Sequence, residues 1–336
     1  MKRLLCLLFF VTVALPARGP QPVPLPGVLK PDSIVLDDQR LYVVEGTLIS
    51  IFHLEDHRLL RRIGQDGEGP GEFKVLPFLP LSVYLSGDRL VVNSFGKISI
   101  FTRSGDFIEE TKVKGNTVIF IMPLGDRFCG QGVAQDGSTR YRTVSIYDRD
   151  LKKIRDLVRV PDDFKGVGRG YDVLEKRLRH QVLDGRLLIT TGPEFVIDVV
   201  DVDGNHLSTI TLDYERVPMN EAGRQALTEY LETAPRTKAF FALLKPLRFP
   251  SHFPAIMNLY TADGKLYVLT WKNIDQGREL LVFDKNGRLL NRTAVRVAFR
   301  DALEPAPMAI LDGRLYQVVE DEESCRLTVQ SIPGDR

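Results

Sequence analysis

Short apolar runs alternate with polar turn residues along this chain. The clearest case is residues 263–290, DGKLYVLTWKNIDQGRELLVFDKNGRLL. Its runs LYVL (266–269) and LLVF (280–283) are rich in β-forming residues and bounded by turn residues, so each predicts a short strand. Asp263 and Gly264 offer the small acidic side chain and positive-φ glycine that a tight hairpin needs, and residues 284–287 do the same for the next turn. One unit is a small antiparallel meander.

The same phrase recurs as DQRLYVV at Asp38, GDRLVV at Gly87, GDRFCG at Gly125, DGRLLIT at Asp184 and DGRLYQVV at Asp312, each with a second apolar run behind it. With the unit at Asp263 this makes six copies. Their aligned apolar residues are Leu41, Leu90, Phe128, Leu187, Leu266 and Leu315, spaced by 38 to 79 residues. A core of about 40 residues with about four strands and variable additions is what one propeller blade occupies. The expected fold is therefore all-β: one six-bladed β-propeller over residues 20–336, with a small helical insertion at about 213–254, between blades four and five.

The turns joining first to second strands are tight in all six units, those joining third to fourth are tight in the first five, and both share one face of the disc. Long additions, at 130–140, 160–180, 271–278 and above all 213–254, fall in the remaining connections, which share the other face. One face is plain and the other decorated. Within the longest addition Asn220 is placed to cap a helix running to about Thr233, with Leu227, Tyr230 and Leu231 on one side. A second short helix over 237–244 is expected to stop before Pro246. The sixth unit lacks a fourth strand, and a segment near Val23 to Leu29 is expected to supply it and close the ring.

Residues 1–19 carry Lys2 and Arg3, an apolar run from Leu4 to Leu15, then Ala17 and Gly19, the order of a secretory signal. The apolar run is shorter than the ~20 residues needed to span a bilayer, so the expectation is an exported chain, periplasmic or extracellular, with no transmembrane span after cleavage. Cys6 lies too early to be a lipidated cysteine. Cys129 and Cys325 fall in blades three and six, on opposite sides of a ring of six, and read as two separate thiols. Forty-five basic residues stand against 44 acidic ones, well interspersed, which argues against nucleic acid as a partner.

After the first unit comes GQDGEGPGEF at 64–73. It reads either as a backbone loop lining a pocket or as a sharp crossing whose Phe73 plugs between blades; its glycine spacing is not that of a P-loop. With this stretch in place, the six units resemble the bacterial six-bladed β-propeller proteins related to NHL repeats. The resemblance implies architecture; proteins of that kind serve as binding platforms, lyases and hydrolases.

The expected inner strands, SIVLD, LSVYLS, VIFIMP, HQVLD, AIMNLY and MAILD, are nearly all apolar, with Asp32, His180 and Asn258 as polar residues near their starts. That set implies no metal and no other cofactor, unlike the metal-dependent lactonase and amidating-lyase propellers. No Gly-x-Ser-x-Gly elbow or Cys/His pair points to a nucleophile. Candidate ligand-binding residues lie on the decorated side. Arg177, Arg179 and His180 belong to the basic cluster EKRLRH, which reads as an anion holder or as a solvated crossing. Trp271 and Lys272 close a strand, the tryptophan stacking on a ligand or wedging between blades. His252 reaches the same side. The leading expectation is a non-enzymatic scaffold for a protein or carbohydrate partner; the alternative is a lactonase-like or lyase-like enzyme at the central mouth.

Overall fold

The computed structural model describes residues 22–335 apart from 77–78, 114–118, 165, 175–177, 235–236 and 322–323. The segment read as a signal, residues 1–19, lies outside the described residues.

Six four-stranded antiparallel sheets follow one another along the chain. Their innermost strands are Ser33–Leu36, Ser82–Ser86, Ile119–Leu124, Arg179–Leu183, Ile256–Ala262 and Met308–Leu311. Each packs beside the inner strands of its two neighbours in cyclic order, and the sixth returns to the first. This is a closed six-bladed propeller. Closure comes from the N-terminal segment: Val23–Leu25 pairs antiparallel with Cys325–Ser331, setting Leu25 opposite Cys325. Leu25 and Leu327 are buried in the core between blades six and one. Cys129 and Cys325 are both buried free thiols.

The repeated phrase shows its physical reasons at the turns. At Asp184-Gly185, Asp263-Gly264 and Asp312-Gly313 both residues hold positive φ, the backbone of a two-residue hairpin whose twist matches its strands. In blades three, four and five the aspartate at the end of the third strand caps the following turn with its own carboxylate. Asp148 Oδ1 accepts from the amides of Asp150 and Lys152, Asp201 Oδ1 from Asp203 and Asn205, and Asp284 Oδ1 from Asn286 and Arg288, all at 2.8–3.0 Å.

The glycine-rich crossing is a plug. Phe73 is fully buried between blades one and two, edge-on to Phe101 at 6.0 Å. Lys97, itself buried, reaches up to hold the crossing: its Nζ donates to the carbonyl of Gly69 at 2.7 Å and pairs with Glu110 at 2.9 Å. Backbone carbonyls and one carboxylate thus satisfy a buried ammonium that alone would be costly.

Two of the four additions prove to be β-structure rather than loops. In blade three Arg127–Asp136 and Thr139–Tyr147, and in blade five Lys265–Ile274 and Gly277–Asp284, run on as long hairpins. A second strand of ten residues against six in blade one carries each hairpin roughly 13 Å beyond the disc, at about 3.3 Å per residue. Because these hairpins join second to third strands, they stand on the face opposite the tight turns.

A helix at Glu221–Thr233 and a shorter 3-10 and α pair at Lys238–Phe240 and Phe241–Leu244 fall in the chain after the strand His206–Thr211 and before Ile256–Ala262. Asn220 Oδ1 accepts from Gly223 N at 2.9 Å, capping the first helix, and Leu227 and Leu231 are its buried side.

Candidate functional site

Strand parity and strand length decide which polar side chains reach the centre. An axial channel of about 770 Å³ runs between the six inner strands. Its plain end is walled by strand ends such as Leu36, Ser86 and Gly125. Its other end, where the inner strands begin, is walled by Asp32, Arg179, Asn258, Tyr260, Arg300 and Glu304.

Most of these groups have partners. Arg300 donates from one terminal nitrogen to Glu304 Oε2 at 2.8 Å and from the other to the Pro31 carbonyl at 3.5 Å. Asp32 Oδ2 accepts from Gly46 N at 2.9 Å. Asn258 Nδ2 donates to the Tyr260 hydroxyl at 2.8 Å. Arg179 differs. Its Nε is buried and has no hydrogen-bond partner among the described residues. Burial pulls the guanidinium pKa below its ordinary value, while Glu304 and Tyr260 act in the other direction.

The sequence candidates separate accordingly. Arg177 lies outside the described residues. Arg179 enters the channel, as does Gln181 two residues on. His180, one residue out of step, is buried in the body of the ring. Its Nε2 donates to the Phe120 carbonyl at 3.2 Å and its Nδ1 accepts from Gln131 Nε2 at 3.2 Å, which fixes the neutral tautomer. Burial lowers its pKa to about 4, the bond to Phe120 opposing that shift. This imidazole ties blade three to blade four and does not line the mouth.

Trp271 is buried and stacks on Phe253 with ring centroids 4.5 Å apart and 22° between planes. The indole thus packs against the insertion that precedes blade five. A stacked pair of this kind contributes about 1 kcal/mol beyond its area. Lys272 lies half-exposed, 3.2 Å from Glu215 and over the ring of Tyr214 at 5.7 Å. His252 is half-buried on the same insertion; its Nδ1 lies 3.0 Å from Ser251 Oγ, and its backbone bridges to Pro218. The five described candidates therefore do not converge on one point.

The additions do converge with each other. Val173 and Leu174, from the crossing into blade four, share one buried cluster with Met219, Leu227, Leu231, Phe241 and Trp271. Tyr171–Asp172 pairs in parallel with Leu247–Arg248, and Arg248 Nε donates to Asp172 Oδ1 at 2.5 Å and its Nη1 to the Arg169 carbonyl at 2.9 Å. Two additions distant in sequence thus form a single packed platform beside the channel mouth. Val167, Phe240 and Leu243 are exposed on it.

Among the described residues no group of three or more His, Cys, Asp or Glu side chains is arranged to hold a metal ion. No helix among them is long and apolar enough to cross a membrane. Arg300 and Glu304 escaped the sequence reading because they belong to a crossing between blades; their only signal was the charged, proline-containing stretch RDALEPAP at 300–307.

No family model matches the chain, and no curated protein matches it in sequence. Solved structures do. A member of the DUF4221 family from Bacteroides vulgatus aligns over 92% of this chain and 96% of its own, at 10% identity and a TM-score of 0.49. A protein of unknown function from Bacteroides caccae covers 89% and 92%, at 12% identity and 0.42. The WD40 domain of Pan2 from Neurospora crassa covers 86% and 75%, at 9% identity and 0.40. At these distances none of them assigns an activity.

Proposed function

We propose that this chain is an exported binding scaffold, recognising a protein or carbohydrate partner through its decorated face, and that its repeats are kin to those of NHL-type propellers. The observation that carries this reading is the platform itself. Additions from two different crossings share one buried cluster and a parallel strand pair, so the face is rigid and built, whereas the opposite face carries only tight turns. A preorganised surface loses little entropy on binding, which is what a recognition face requires. The basic start and apolar run of residues 2–15 support export.

The test substitutes exposed platform residues without touching the core. Tagged protein carrying Phe240→Asp and Leu243→Asp is compared with native protein in crosslinked capture from envelope extract and on a glycan array, with Leu207→Asp and Leu289→Asp on the outer strands as control. The proposal requires a partner or glycan retained by native protein and by the control pair but lost, by tenfold or more, from the platform pair. Equal loss from both pairs, or retention by both, would sink it.

A further inference from the structure

The channel mouth holds a donor that the docking surface does not use. Native proteins leave few buried polar groups unsatisfied, and a guanidinium is among the most expensive to leave so. Arg179 Nε is such a group, and the arginine that carries it lines a cavity of about 770 Å³, within the range of small-molecule sites. The other charges around it are engaged: Arg300 with Glu304, and Asp32 with the Gly46 amide.

We propose that the Arg179 end of the channel binds a small solute bearing one carboxylate, of the size and polarity of a sugar acid. This goes beyond the docking reading and stands without it. The planar fork of a guanidinium matches a carboxylate through two parallel hydrogen bonds, and Arg179 brings that fork to the channel wall. Charge decides between carboxylate and phosphate. Asp32 and Glu304 line the same mouth, so a dianionic group meets about twice the repulsion that a monoanion meets there. The remaining wall suits hydroxyl groups. Ser33, Ser82 and Asn258 face the channel, and the Tyr260 hydroxyl, which accepts from Asn258, has its own hydrogen to donate. Val83 and Met308 supply apolar surface for a ring face.

Thermal unfolding of the purified chain tests this, with sodium glucuronate, glucose or inorganic phosphate as probe at matched ionic strength. Glucuronate at tens of millimolar is expected to raise Tm by roughly 2 °C or more, and glucose and phosphate to leave it unchanged. Arg179→Met is expected to fold with an equal or higher Tm without probe, because it removes an unsatisfied buried group, and to lose the glucuronate shift. Should that variant fail to fold, Arg179→Lys, which keeps the charge without the fork, must lose most of the shift. A native protein indifferent to glucuronate, the same shift in native and variant, or a phosphate shift as large as that of glucuronate would each overturn the proposal. The platform variants Phe240→Asp and Leu243→Asp should respond to glucuronate like native protein, which separates this result from the fate of the docking reading.

Discussion

His180 and Arg179 are adjacent in the chain and have opposite fates, because successive side chains of a strand point to opposite sides. The stretch EKRLRH announces a basic cluster, but nothing in it states the parity of the strand that follows, so the histidine and the arginine look equally able to reach the mouth. The structure begins the inner strand at Arg179, which sends that side chain and Gln181 to the channel and His180 into the ring. Its consequence for stability has a definite sign. With a folded pKa near 4 against an ordinary 6.5, His180 is neutral in the native state while the unfolded chain takes up a proton first. The stabilisation is fully present above pH 6.5 and is lost as pH falls toward 4, amounting to about 3 kcal/mol across that window. Nitrogen-15 NMR should find the His180 ring neutral, protonated at Nε2, down to near pH 4; a midpoint near 6.5 would show that the ring is not buried between blades three and four.

At the scale of elements, most of the architecture was legible because each blade repeats the same local chemistry. Apolar alternation marks the strands, Gly-Asp or Asp-Gly marks the first hairpin of blades two to six, and in blades three to five the aspartate at the end of the third strand marks the second, where its carboxylate caps the turn. The closing strand at Val23–Leu25 was readable by subtraction, since the sixth unit was one strand short. The helix from Glu221 was readable from its cap and its Leu227 and Leu231 spacing. Less visible were the hairpins of blades three and five. Most of residues 130–140 and 272–278 are polar because they stand clear of the disc, and polarity alone does not distinguish a solvated hairpin from a loop. Pairing between distant additions, such as Tyr171–Asp172 with Leu247–Arg248, has no local signal at all. The repeat alignment itself is testable at Leu266, which is fully buried between blades four and five. Leu266→Asp sets an unpaired charge in that core and is expected to cost about 3 kcal/mol or more in urea unfolding; an unchanged midpoint would refute the alignment.

The molecule as a whole is a ring with two unlike faces. Six inner strands leave a channel, tight turns close one face, and on the other a platform of two additions, packed against Trp271 through Leu227, Leu231 and Phe241, rises beside the mouth. Exposed apolar side chains occur in both settings: Phe240 and Leu243 on the platform, Leu207, Leu289 and Leu290 along outer strands near the plain face. If recognition belongs to the decorated face, only the first set meets a partner. Site-specific photo-crosslinking in cells producing the protein decides this most directly, with benzophenone-bearing phenylalanine in place of Leu243 or of Leu289. A discrete adduct from position 243 and none from position 289 is the predicted result. Adducts from position 289 alone, or from neither position, would contradict the assignment of binding to that face.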